Sequence, residues 1–159
     1  MQAVAAVRVT TMDTMQEFLA YAGDFERTLV DDDWTRLRRY FADDAVYEVK
    51  AESFGCRLTG PTAIFAGIKK SLDGFDRKFA KREVEVTSGP EISGDELRVG
   101  WKVVYSKDGV PPFVLRGRSI ARYRDGKIVY LSDIYDPSVA GEMAAWQRES
   151  GVAIDVSYT

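Results

Sequence analysis

The sequence predicts an α+β domain in which a curved antiparallel sheet wraps around three N-terminal helices, a cone-shaped α+β barrel. Two observations predict it. Apolar residues recur at helical spacing as far as Leu72, then at every second position from Arg82 onward. Between the first helix and that strand-rich half, residues 31–49 (DDDWTRLRRYFADDAVYEV) read as a helix start, a short amphipathic helix, an acidic turn and a strand.

Each element has its own signal. Residues 1–13 read as a loose lead-in, with Asp13 or Thr14 placed to cap the first helix. Phe18, Tyr21, Ala22, Phe25 and Leu29 make one apolar stripe, which predicts a helix over 15–30. Asp32 or Asp33 caps a second helix whose apolar side carries Trp34, Leu37, Tyr40 and Phe41. Asp43-Asp44 ends it, and 45–49 is a strand rich in β-formers. Gly60-Pro61 opens a third helix with Ile64, Phe65, Ile68 and Leu72 on its buried side. Gly74, with Lys69-Lys70 before it, suits that helix's C-terminus.

From Arg82 the period is two. Val84 and Val86 alternate with charged and polar neighbours up to Gly89-Pro90. Leu97, Val99, Trp101, Val103 and Tyr105 form the cleanest strand in the chain. Lys107-Asp108-Gly109 turns the chain, Pro111-Pro112 admits a strand over 113–124, and Asp125-Gly126 signals a tight hairpin into 127–135. Residues 137–149 read as a terminal helix carrying Val139, Met143 and Trp146, and 150–159 as a tail or one further strand. With no linker and no repeat, the expectation is one domain over 1–159 with its core at about 14–149.

Composition excludes several functions. The chain has 159 residues, a net charge of −3 and a pI near 5.1, so nothing electrostatic points to nucleic acid. Arg116-Gly117-Arg118 reads as a solvated strand face. The single cysteine, Cys56, cannot form an internal disulfide and fits a reducing compartment. No apolar run is long enough to span a bilayer, and none follows Arg8 at the length of a signal peptide, so a cytoplasmic protein without a membrane partner is expected. Histidine is absent, which removes nucleophile–histidine triads and the commonest metal ligand. The expectation is therefore no metal and no cofactor. Residues 89–94 flank a turn and are not a phosphate cradle.

The spacing Asp32/Asp33-Trp34, Leu37, Phe41, Asp44-Ala45 resembles the nuclear transport factor 2-like superfamily. Gly60-Pro61 with Ala63-Ile64, and Asp125-Gly126-Lys127-Ile128 followed by Asp133, extend the resemblance over residues 18–136. The overall look is that of the SnoaL-like branch. Such a resemblance implies a cone with an apolar pocket and leaves the chemistry open, because the superfamily holds isomerases, dehydratases, hydrolases, cyclases and non-enzymes. A ketosteroid-isomerase-like mechanism implies an aspartate base at Val49, an oxyanion tyrosine at Phe25 and a second acid near Ser119 or Ile120; none of these groups is present. A scytalone-dehydratase-like aspartate falls at Val30. A limonene-epoxide-hydrolase-like set is matched at Asp133 and Tyr47, but lacks the acid near residues 100–102 and the asparagine at Val49.

Asp133 is the candidate acid or base, since it alternates with Leu131 and Tyr135 and apolar neighbours raise a carboxyl's pKa. Tyr47, on the same face as Val49, is the candidate donor to a ligand oxygen. Phe25, Val49, Trp101, Leu115, Ser119 and Tyr135 are the expected pocket lining. Glu48 alternates away from the pocket, and Cys56 has no base beside it in sequence. The expected function is acid/base chemistry, as an isomerase, lyase or hydrolase, on a small hydrophobic molecule. The alternatives are a non-catalytic ligand binder or a dimeric interaction module. A homodimer through the outer sheet face is expected, where Val114 and Ile120 sit among Arg116, Arg118 and Arg122.

Overall fold

The computed structural model describes residues 11–159. The lead-in expected over 1–13 lies outside the described residues as far as position 10; positions 11–13 already belong to helix α1, Thr11–Asp31. That helix turns Tyr21 inward and stops where Asp32 adopts a positive φ of 61° and gives its N–H to the Thr28 carbonyl at 2.8 Å. Asp33 then caps the next segment by accepting from the Thr35 N–H. The second helix is tighter than expected: residues Trp34–Tyr40 form a 3-10 helix that buries Leu37 and Tyr40.

Strand β1 (Phe41–Lys50) starts four residues earlier than the sequence suggests. Asp43-Asp44 is a register irregularity inside the strand, both side chains exposed, with Asp44 held by Arg124 at 2.7 Å. A short strand without a sequence signal, β2 (Cys56–Thr59), pairs back onto β1. Helix α2 (Pro61–Gly74) follows, with Pro61 in its first turn and Ile64, Ile68 and Leu72 buried.

The second half is a meander of β3 (Lys81–Ser93), β4 (Glu96–Ser106), β5 (Phe113–Arg124) and β6 (Lys127–Tyr135). Strand β3 continues through Gly89-Pro90, where the sequence suggests an end; it is the edge of the sheet, so Pro90 breaks no inner ladder. Asp125 and Gly126, at φ 52° and 76°, make the tight hairpin between β5 and β6.

The sheet order is β2-β1-β6-β5-β4-β3. The α+β cone is as expected, with one correction: β1 pairs with β6 in parallel, so the sheet is mixed and unclosed. Strand β1 leaves its neighbourhood through α2, and the meander brings β6 back beside it running the same way. Helix α3 (Val139–Ser150) buries Val139, Met143 and Trp146. Residues 151–159 form a strap without a strand that docks on α2 and buries Val156 and Tyr158, so the core reaches beyond the expected limit of 149.

Candidate functional site

Strand alternation decides which side chains face the inside of the cone. Register sets Val49 and Ser119 opposite Asp133, Gly117 opposite Tyr135, and Trp101 opposite Gly117. Tyr47, Leu115, Val103 and Leu131 share this inner face. Helix α1 covers it with Phe18, Tyr21 and Phe25, and α2 with Ile68, Ser71 and Leu72. Between them lies a cavity of about 180 Å³ lined by eight aromatic rings. Its mouth lies at its two exposed lining residues, Val84 on β3 and Glu26 on α1.

Asp133 sits deep in the molecule, and the surface it keeps faces the cavity. Tyr47 Oη donates to its Oδ2 at 2.5 Å and Ser119 Oγ to its Oδ1 at 2.6 Å. Trp101 Nε1 in turn donates to Ser119 Oγ at 2.8 Å, which fixes the hydroxyl as a donor to the acid. Burial pushes the Asp133 carboxyl above the ordinary aspartate value, and the Ser119 and Tyr47 hydrogen bonds hold that rise back. The indole can lie there only because residue 117 is glycine: a Cβ on Gly117 would stand 2.8 Å from the Trp101 ring. Tyr135 and Tyr158 complete this end of the cavity, their hydroxyls 3.2 Å apart.

A second polar group stands on the same cavity. Asp76, buried just after α2, accepts from Tyr105 Oη at 2.7 Å and from Arg82 Nε at 3.0 Å. Arg82 also reaches Glu26 on α1 at 2.5 Å. Burial raises the Asp76 carboxyl, opposed by the Arg82 charge and the Tyr105 hydroxyl.

Of the residues singled out in the sequence, Phe25, Tyr47, Trp101, Leu115, Asp133 and Tyr135 line the cavity. Val49 does not: its side chain is buried in the core beside Asp133. Ser119 also lies behind the lining and acts on the site through Asp133. Glu48 faces outward to Tyr130 and Arg57, and burial raises the Cys56 thiol. The sequence reading missed Tyr158, Asp76 and Arg82. Arg82 had a signal, since it alternates with Val84 and Val86 on β3. Asp76 and Tyr158 had none, because neither lies in a periodic run.

The cone and its mixed sheet have the nuclear transport factor 2-like fold. A protein of that fold from Burkholderia pseudomallei, of unknown function, superposes with a TM-score of 0.64 at 16% identity, over 88% of this chain and 98% of its own. A candidate SnoaL-like polyketide cyclase from Jannaschia does so with a TM-score of 0.65 at 14% identity, over 96% and 99%. At such identities the likeness is one of fold. No curated protein sequence matches the chain. Residues 22–131 match the model of the SnoaL-like domain, and the chain belongs to that family.

Proposed function

We propose that the chain is a cofactor-independent enzyme that moves a proton on a small hydrophobic molecule held in the cavity. Asp133 carries this reading. It is an acid enclosed at an aromatic cavity, its partners are hydroxyls, and among the described residues no lysine or arginine pairs with it. A carboxylate kept from water in this way is a stronger base than one in solution. Ser119 and Trp101 hold its orientation, leaving lone pairs to accept a proton from the ligand. Once Asp133 holds that proton, the Tyr47 hydroxyl is freed from a carboxylate and becomes the nearest donor to a ligand oxygen that has gained charge.

The test needs no known substrate. A panel of small aryl and alicyclic ketones, with and without an amino group, is incubated with the protein in D2O and read by mass spectrometry. Deuterium uptake above the buffer rate is expected, abolished in Asp133→Asn and weakened in Tyr47→Phe, with both variants folded by circular dichroism. Equal uptake by wild type and Asp133→Asn, or none by wild type across the panel, removes proton transfer by Asp133 from the account.

A further inference from the structure

We infer that the ligand of this cavity is a small lipophilic cation, an amine or quaternary ammonium whose charged nitrogen lies against Asp133. The inference rests on the reading of the cavity as a small-molecule site and adds the charge of its occupant.

The charge of the lining points this way. Among the described residues three carboxylates reach the cavity, Glu26, Asp76 and Asp133, against one cation, Arg82. Arg82 is already committed, at 3.0 Å to Asp76 and 2.5 Å to Glu26. Among the described residues Asp133 accepts one neutral hydroxyl at each oxygen, from Tyr47 and Ser119, and forms no ion pair, the Arg82 charge acting on it only at a distance. A buried charge without a counter-ion is costly, and a cationic ligand would remove that cost on entering.

The walls point the same way. Tyr47, Trp101, Tyr135 and Tyr158 surround the acid, with Phe25 and Tyr105 further along the lining. Ring faces attract a desolvated ammonium, and several rings with one carboxylate make a site that an anion would not enter. A volume of about 180 Å³ holds a trimethylammonium head or a single ring, with the remainder leaving past Val84 at the mouth.

Benzyltrimethylammonium and its neutral isostere 2,2-dimethylpropylbenzene separate charge from shape. Binding of each is measured by tryptophan fluorescence with wild type and Asp133→Asn. The cation is expected to bind wild type at least about tenfold tighter than the isostere, a preference that vanishes in Asp133→Asn. Equal or tighter binding of the isostere to wild type overturns the inference while leaving the small-molecule reading intact. A cation preference that survives in Asp133→Asn also overturns it. Binding of neither overturns both readings.

Discussion

At the scale of single residues, Asp133 is a position where function and stability oppose each other. Its folded carboxyl titrates above the unfolded one, so folding favours its protonated form. The stability it contributes is fully present below the unfolded pKa and is lost as pH rises through the folded value. Asp133→Asn is therefore expected to be more stable than wild type at pH 7, with the gap closing towards pH 3. Urea unfolding across that range reads it directly, and a variant less stable at every pH would make Asp133 a structural residue. Gly117 sets the other term. In Gly117→Ala the Cβ would stand 2.6 Å from the Ile134 carbonyl oxygen as well as against the indole, so the variant is expected to strain the β5–β6 pairing and displace Trp101 from Ser119, at a cost of about 1–3 kcal/mol and with altered tryptophan emission.

At the scale of elements, the C-terminal strap closes one end of the cavity. Ser71 Oγ donates to the Val156 carbonyl at 2.7 Å, Lys78 Nζ to that of Ala153 at 3.0 Å, and Lys70 Nζ to that of Thr159 at 2.8 Å. The strap comes this close because α2 ends in a glycine: a Cβ on Gly74 would stand 2.0 Å from the Asp155 carbonyl oxygen. Gly74→Ala is expected to lift the strap and withdraw Tyr158 from the site. Limited proteolysis should then cut within 151–159 faster than in wild type, and unchanged protection would show that the strap contributes nothing to closure. The strap carries a buried tyrosine and valine but has no hydrogen-bonded strand partner, so neither period could reveal it in the sequence. The second helix is a related case. Asp32, Asp33 and the apolar side were legible, but the periodicity of a seven-residue segment does not distinguish a 3-10 from an α winding.

At the scale of the whole molecule, the β3–β6 meander was legible because four runs of alternation are each closed by a turn signal. The parallel pairing of β1 with β6 was not, since it joins residues more than eighty positions apart and nothing in either strand names its partner. The site followed the same rule. Asp133, Tyr47 and Trp101 lie on strands, where alternation assigns a face; Asp76 follows a helix end, and its meeting with Arg82, which also holds Glu26, is set by tertiary packing alone. The outer sheet face, with half-buried Val104, Val114, Ile120 and Ile134 among exposed Arg116, Arg118 and Arg122, supports the proposed homodimer. Sedimentation equilibrium should give twice the chain mass, and a strict monomer would remove the proposal. A ligand that occupies the cavity should stabilise the folded chain by about 2.7 kcal/mol at a hundredfold excess over Kd. The matching rise in Tm, roughly 5–11 °C for a chain of this size, should shrink in Asp133→Asn.

The central claim is a largely buried carboxyl at the cavity that, among the described residues, is held by hydroxyls and forms no ion pair. Its most direct measurement is the carbon-13 titration of the Asp133 side chain, with and without benzyltrimethylammonium. The account predicts a midpoint above the ordinary 3.8 in the free protein, moving down when the cation is bound. A midpoint at or below 3.8 in the free protein would contradict it.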